Sequence, residues 1–162
     1  MTIGPKARVF YPAILLLLLA DCTTKGLAEA HLVPWVPERV LGDLFRFTLA
    51  YNPRAAMSIS LGEHSRLIIS VIAAIEIAVL AYLYRKSNSR DTLKVLALGL
   101  VIAGALGNLI DRFRSPRGVV DFIDIGIGST RFWTFNVADI GVSVGAILLA
   151  WQLSKSEEPK PA

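Results

Sequence analysis

Four stretches of the chain are long and apolar enough to be membrane-spanning helices. They cover about residues 9–28, 67–84, 95–110 and 137–153. A bilayer core of roughly 30 Å needs about 20 helical residues, so the two shorter stretches need a few polar flanking residues to complete a span. Charge inside them is rare, since residues 67–84 carry only Glu76. The pattern predicts a mainly α-helical membrane protein with four transmembrane helices.

The loop between the first two spans contains a second kind of pattern. Apolar side chains fall at every second residue of 44–51, namely at Phe45, Phe47, Leu49 and Tyr51. Period two is typical of a β-strand with one apolar face. We therefore expect a small extramembrane β-sheet on the outer membrane surface. Residues 111–131, which are rich in charge and glycine, are interpreted as a loop between the third and fourth spans.

The composition supports one membrane domain. Apolar residues make up 54% of the 162 residues, and the mean hydropathy is +0.54, too high for an ordinary soluble domain. We expect a single domain at residues 1–153, followed by a polar, disordered cytoplasmic tail at 154–162. Cys22 is the single cysteine, which excludes an internal disulfide framework and a Cys-rich metal site.

The net charge of +4 and pI near 9.5 come from basic residues scattered at the ends of apolar runs. This is typical of a membrane protein, so no nucleic-acid partner is expected. If both termini are cytoplasmic, eight basic residues lie inside and nine outside, so counting alone decides nothing. Lys6 and Arg8, directly before the first span, favour an inner N-terminus, and we adopt that orientation.

The N-terminus also has features of a cleaved signal peptide. Lys6 and Arg8 precede an apolar run that ends in Leu-Ala-Asp-Cys at residues 19–22. Cleavage before Cys22 would need a small preceding residue, and Asp21 stands there. Three further spans follow. We therefore interpret the first apolar stretch as a retained transmembrane helix.

Polar groups that could do chemistry collect near the outer ends of the spans. Ionisable groups in or beside a span are unfavourable by several kcal/mol unless paired, so each is a functional candidate. In chain order they are Asp21 and Lys25, Asn108 and Arg112, Asp121 and Asp124, and Asn136 and Asp139. The loop that joins the third and fourth spans can bring Asp121 and Asp139 together.

Two carboxyl groups that share a site do not both ionise easily, so one acts as a base and the other as an acid. The base would activate water for attack on a peptide carbonyl, and the acid would protonate the carbonyl oxygen. The sequence contains no HExxH motif, and its GxSxG string, GVSVG at 141–145, lies inside the fourth apolar stretch and not at the strand-to-helix turn of a nucleophile elbow. His31 and His64 both lie in the first outer loop and lack metal-ligand spacing.

Other interpretations of the same residues remain open. Intramembrane Asp and Asn residues also serve in proton relays of transporters or in helix packing of a non-catalytic scaffold. Asp21 with Lys25 has the spacing of a structural ion pair. Glu76 is interpreted as a protonated or hydrogen-bonded packing group, and the pair Gly141 and Gly145 as close helix packing. The concentration of polar residues at one face counts against a path through the bilayer.

Five blocks of the chain resemble the motifs of the lipoprotein signal peptidase family (signal peptidase II). They are DCTTK at 21–25, YNPRAAMS at 51–58, GALGNLIDR at 104–112, GVVDFID at 118–124 and FNVAD at 135–139. Their order and spacing agree with the family from about residue 6 to residue 153. The last three blocks together are highly specific.

The resemblance implies an aspartyl endopeptidase of the bacterial inner membrane, with its active site toward the periplasm. Such an enzyme removes the signal peptide of a prolipoprotein just before a diacylglyceryl-modified cysteine, needs no cofactor, and is inhibited by the cyclic peptide globomycin. We expect a monomer that contacts membrane lipid. The implied roles are a catalytic dyad of Asp121 and Asp139, an orienting set of Asn108, Arg112 and Asn136, and a substrate site with Asp21, Lys25 and Asn52. The strand-bearing first loop is expected to form a β-sheet cradle.

The second block departs from the family pattern. Arg54 and Met57 stand where the family has glycine and phenylalanine. Glycine allows close backbone approach, which arginine does not. The departure leaves the dyad intact, and it bears on substrate range, on inhibitor sensitivity and on the alternative of an inactive paralogue.

Overall fold

A computed structural model describes residues 4–53 and 64–156. Its four long helices are α1 (Ala7–His31), α2 (Ser65–Lys86), α3 (Thr92–Arg114) and α4 (Val137–Ser156). All four are long and apolar enough to cross a membrane. The prediction of four spans is confirmed, and each helix extends beyond its apolar stretch. Helix α4 runs three residues into the expected tail, whose remaining residues lie outside the described part of the chain.

Helix α3 is the centre of the bundle and packs against α1, α2 and α4. Small residues permit this close approach, because a Cβ added at Gly145 would lie 2.6 Å from a methyl group of Val101 and 2.8 Å from the carbonyl oxygen of Ala97. A Cβ at Gly141 would collide with the side chain of Leu17 in α1. The interpretation of this glycine pair as close helix packing is confirmed.

Four antiparallel strands form one sheet at one end of the bundle, in the order β1 (Glu38–Leu41), β2 (Phe45–Asn52), β3 (Val119–Ile127) and β4 (Thr130–Arg131). Strand β2 confirms the strand predicted from its alternating pattern. The interpretation of residues 111–131 as a loop is wrong for most of the segment, which contains the end of α3 and the strands β3 and β4. Both faces of the first part of β3 are covered, so its buried residues do not alternate along the chain.

The sheet rests on the end of α1 and positions the polar residues of β3. Ala28 of α1 packs in one apolar cluster with Leu49, Val120 and Phe122. Strand β2 pairs with β3, with an irregularity between Phe47 and Ala50. The same register sets Ala50 opposite Asp121, so the carboxyl group of Asp121 lies where the sheet meets the helices.

The N-terminal segment lies at the other end of the bundle, beside the connection between α2 and α3. The ammonium group of Lys6 donates hydrogen bonds of 3.2 Å to the carbonyl oxygens of Tyr84, Arg85 and Ser87. The last carbonyl groups of a helix lack intrahelical partners and attract positive charge. Lys6 therefore ties the start of α1 to the end of α2 that points away from the sheet.

Candidate active site

Asp121 of β3 and Asp139 of α4 are joined through two asparagine side chains. The amide nitrogen of Asn136 donates to the Oδ1 of Asp121 at 2.7 Å and to the Oδ1 of Asn108 at 3.1 Å. The amide nitrogen of Asn108 donates to the Oδ1 of Asp139 at 2.8 Å. A sheet and two helices thus meet in a continuous chain of hydrogen bonds, and the residues predicted to form the dyad lie in one site.

The start of α4 holds Asp139 in place. Asn136 precedes the helix and accepts the backbone N–H of Asp139 at 3.0 Å, while the Oδ2 of Asp139 accepts the backbone N–H of Asn136 at 3.2 Å. This reciprocal arrangement is a capping box, which satisfies N–H groups that have no partner within the helix. The carboxyl group of Asp139 therefore has one oxygen toward the helix cap and the other toward Asn108.

Asp21 of α1 supplies a further contact to the start of α4. Its Oδ1 accepts the backbone N–H of Ala138 at 2.9 Å, and its side chain is 1% exposed. A carboxylate is favourable at a helix N-terminus, where the helix dipole is positive. Asp21 thereby ties α1 to the start of α4, behind the dyad.

Lys25 is the buried cation beneath the site. Its ammonium group lies 2.7 Å from Asp21 and 2.8 Å from Asp111, and it donates to Asn108 at 3.0 Å. With 3% exposure, it is removed from water, and buried charges need such partners. The predicted ion pair of Asp21 and Lys25 is present, and Lys25 also orients the asparagine that bonds to Asp139.

Asp111 is the site residue that our sequence reasoning did not select. Its Oδ2 contacts Lys25 and also accepts the backbone N–H of Val120, at 3.2 Å, just before Asp121. It therefore fixes β3 to the end of α3. The available signals were its position directly before Arg112, near the end of an apolar span, and its place in the GALGNLIDR block at 104–112.

The environment of Asp121 favours its protonated form. Burial raises the pKa of Asp121 to about 7, the negative charge of Asp139 adds to this, and hydrogen bonds from Asn136 and Asn52 with the charge of Lys25 oppose it. Desolvation and a neighbouring like charge both disfavour a second carboxylate. Near neutral pH the site can therefore hold one carboxyl group and one carboxylate.

A cavity of about 660 Å³ opens on the dyad. Asp121, Asp139, Asn52, Asn108 and Arg112 line it, so its upper part is polar. Aromatic rings and the apolar face of α2 form other walls, namely Trp35, Phe132, Trp133, Phe135, Ile69 and Ile72. The arrangement suits an occupant with a polar backbone at the dyad and apolar groups against the surrounding walls.

Arg112 and Asn52 place donors beside the dyad. Arg112 is 7% exposed, and its guanidinium group donates to the carbonyl oxygen of Asn108 at 3.0 Å and interacts electrostatically with Asp121 and Asp139. The side chain of Asn52 is hydrogen-bonded to Asp121. Both residues thus lie where the sequence predicted support for the dyad or for a substrate.

Three other expectations have different outcomes. Asp124, in the same strand as Asp121, forms an ion pair of 2.5 Å with Arg131 and accepts Thr48 at 2.8 Å, so it stabilises the sheet. Glu76 is exposed and lines the cavity, so its interpretation as a packing group is wrong. Arg54 and Met57 lie outside the described residues.

Gly107 allows the close contact between α3 and α1. A Cβ there would collide with the Oδ2 of Asp21. We expect Gly107→Ala to displace Asp21 from α4 and to destabilise the protein by about 1–3 kcal/mol, as overpacking does. Thermal unfolding in detergent measures this. Gly26→Ala is the matched control, because no atom lies within 4 Å of its added Cβ and alanine favours a helix. Equal melting temperatures of the two variants would contradict the prediction.

The comparisons with known proteins agree on one family. The family model described as signal peptidase (SPase) II matches residues 13–155. The chain is 39% identical over 137 residues to the lipoprotein signal peptidase of Hydrogenovibrio crunogenus, covering 83% of this chain and 78% of that one. It is 34% identical over 157 residues to that of Geobacter sulfurreducens, covering 96% and 98%.

The fold is also found among solved structures. A bacterial membrane enzyme determined at 2.3 Å resolution by the in meso method superposes with a TM-score of 0.83 at 28% identity, covering 94% of this chain and 93% of that one. Residues 13–155 thus match the family in sequence, and nearly the whole chain shares the architecture of a solved bacterial membrane enzyme. The chain therefore belongs to the signal peptidase II family, and its function is to cleave the signal peptides of lipoproteins.

Proposed function

We propose that the chain is an aspartyl endopeptidase that cuts a prolipoprotein before its diacylglyceryl-modified cysteine. The observation that carries the proposal is the cavity in which Asp121 and Asp139 are linked through Asn136 and Asn108. Two carboxyl groups in one partly desolvated site are the arrangement that general acid and base catalysis requires. Among the described residues, Asp121 and Asp139 are the two carboxyl groups of the cavity wall that lie beside Asn and Arg donors. Glu76, the third carboxyl group of the wall, lies farther along α2.

In the proposed first step, the Asp139 carboxylate removes a proton from water as the water oxygen attacks the scissile carbonyl carbon. Asp121, whose pKa is raised to about 7, gives its proton to the carbonyl oxygen. The product is a neutral tetrahedral diol. Asp139 then protonates the leaving nitrogen, and Asp121 regains a proton from the diol as the C–N bond breaks. Atoms and charges balance, and both carboxyl groups return to their starting forms.

The other polar residues of the cavity would hold the peptide. Arg112 and Asn52 offer donors to backbone carbonyl groups near the dyad, and correct placement of the reacting groups contributes much of a catalyst's rate. The apolar walls below would receive acyl chains and the apolar part of the signal peptide. The same cavity is the proposed binding place of the inhibitor globomycin, in a monomeric enzyme that needs no cofactor.

The membrane orientation is part of the proposal. Lys6 binds the end of α2 that leads to the basic connection with Arg85, Lys86 and Arg90. Because cytoplasmic loops are enriched in Lys and Arg, this end is assigned to the cytoplasm of a bacterial inner membrane. The sheet and the dyad then lie at the periplasmic face, where a lipidated cysteine is presented.

A cleavage assay tests the proposal. Purified protein in detergent is mixed with a prolipoprotein that carries a diacylglyceryl cysteine, and the products are identified by gel shift and mass. We expect release of the intact signal peptide with cleavage on the N-terminal side of the lipidated cysteine. The same prolipoprotein without the lipid is the matched control and should be cut at least tenfold more slowly, since the acyl chains supply binding free energy. Equal cleavage of both forms would contradict the proposed substrate, and cleavage elsewhere would contradict the proposed position.

A further inference from the structure

The cavity continues below the dyad along three helices. Helix α2 presents one face to it, with Ile69, Ile72, Ala73 and Glu76 at positions i, i+3, i+4 and i+7. At a rise of about 1.5 Å per residue, this face extends over roughly 10 Å. Helix α2 runs away from the sheet, so Glu76 lies at the deep end of its face.

Helices α3 and α4 have matching faces. Ala105 lies seven residues before Arg112 in α3, and Ser143 lies four residues after Asp139 in α4. These separations correspond to roughly 10 Å and 6 Å along the helix axes. The lower part of the cavity therefore reaches about 6–10 Å from the dyad toward the Lys6 end of the bundle.

Two polar groups stand in this otherwise apolar region. Glu76 and Ser143 are both exposed and line the same cavity, whereas Ala73, Ala105 and Val142 at similar depth are apolar. Within the described part of the chain, no hydrogen bond or ion pair reaches the carboxyl group of Glu76. A carboxyl group at membrane depth is unfavourable by several kcal/mol without a hydrogen-bonding partner. A molecule bound in the cavity can supply that partner.

The possible partners of Glu76 differ in their hydrogen-bonding groups and in their depth. Acyl chains have no hydrogen-bonding groups along their length, and the ester groups of a diacylglyceryl cysteine are a few bonds from the sulfur, at the level of the dyad. The signal peptide passes through the same depth and can carry side chains with hydroxyl or amide groups. A peptide side chain is therefore the partner that matches Glu76 in depth and in chemistry.

We propose that Glu76 and Ser143 form a subsite that binds a hydroxyl or carboxamide side chain in the membrane-embedded part of the substrate's signal peptide. This rests on the proposed function, because it takes the scissile bond to lie at the dyad. A helical signal segment covers 6–10 Å in about four to seven residues, which sets the distance of the recognised residue from the cleavage site. Glu76 is thus a specificity-determining residue and takes no part in the bond-breaking steps.

The test uses full-length protein in detergent and diacylglyceryl-modified prolipoproteins with a uniform leucine segment. One leucine at a time is replaced by serine, at the third to the eighth position before the cysteine. The measured quantity is the ratio of kcat/KM for the serine and leucine substrates with each enzyme, which cancels differences in the amount of folded protein. We expect one or two adjacent positions at which wild type has a ratio about five- to tenfold higher than Glu76→Leu, the effect of one hydrogen bond to a carboxyl group.

Two further variants separate recognition from structure. Glu76→Gln keeps hydrogen-bonding capacity and should retain most of the serine preference. Ile75→Ala changes the neighbouring exposed residue, which does not line the cavity, and should keep the wild-type ratio. Equal ratios for wild type and Glu76→Leu at all six positions would overturn the subsite while leaving the peptidase assignment intact. Failure of wild type to cleave any of these substrates would overturn the proposed function as well.

Discussion

Asp121→Asn and Asp139→Asn are each expected to reduce cleavage of a diacylglyceryl prolipoprotein by at least about a thousandfold. Asparagine has the size of aspartate and can accept the hydrogen bond that Asn136 gives to Asp121 or that Asn108 gives to Asp139. It cannot hold or release the catalytic proton, and general acid or base catalysis typically contributes about 10²–10⁴ in rate. Loss of either function prevents a concerted step, so the double variant should be little worse than the single ones.

Asp124→Asn is the matched control for these variants. It makes the same chemical change three residues further along β3, where the carboxylate pairs with Arg131, and it should retain cleavage. Initial rates under substrate-limiting conditions, with melting temperature as a check of folding, measure the effect. A well-folded Asp121→Asn or Asp139→Asn protein with more than a tenth of the wild-type rate would contradict the dyad.

The pH profile distinguishes the roles of the two carboxyl groups. With Asp121 as the acid, cleavage should fall as pH rises through about 7, the raised pKa of Asp121.

The raised pKa of Asp121 also affects the stability of the fold. Because the folded-state pKa lies above the unfolded value of 3.8, stabilisation present at low pH is lost as pH rises through about 7. The Asp121→Asn protein lacks this titration, so its melting temperature relative to wild type should rise between pH 5 and pH 8.

Lys25→Met is expected to have the largest effect on stability. The substitution keeps the length of the side chain and removes a charge that lies within 3 Å of both Asp21 and Asp111. Two buried carboxylates would then face each other without a cation. Removing one partner of a buried ion pair typically destabilises by about 3–5 kcal/mol, so we expect the melting temperature in detergent to fall by roughly 10 °C.

A rescue experiment tests this explanation. If the loss comes from uncompensated carboxylates, adding Asp21→Asn and Asp111→Asn to Lys25→Met should recover part of the stability, although each asparagine is mildly destabilising alone. Lys155→Met, at an exposed lysine of α4, is the matched control and should melt like wild type. A Lys25→Met protein that also melts like wild type would show that the buried cation is dispensable for the fold.

The helices and one strand could be predicted from the sequence because a single physical pattern governs each of them. Long apolar runs specify the spans, and period two specified β2. Strand β3 was not predicted, and the reason is physical. Its first four residues are all buried, since one face meets the helices and the other faces the site, so the apolar period is broken by Asp121. A carboxyl group in a core position of a strand makes its sequence resemble that of a loop.

The residues of the candidate site could be predicted from the sequence, whereas the hydrogen bonds and ion pairs between them could not. The collection of Asp, Asn, Lys and Arg near the span ends, with the family resemblance, selected the side chains that line or support the cavity. Which of them touch depends on the register of β2 with β3 and on the packing of α1 against α3, and neither is encoded in local spacing. Asp111 and Glu76 illustrate this, because the ion pair of Asp111 with Lys25 and the position of Glu76 in the cavity wall both depend on neighbours from other elements.

The position of Asn136 has a consequence for how this site can change during evolution. One amide group contacts Asp121, Asn108 and the carbonyl oxygen of Val120, while its own oxygen caps Asp139. Any substitution alters both acids and the start of α4 at once, so no single second-site change can restore all of these contacts. We therefore expect substitutions of Asn136 to be harder to compensate than substitutions on the cavity face of α2, where side chains can vary one at a time.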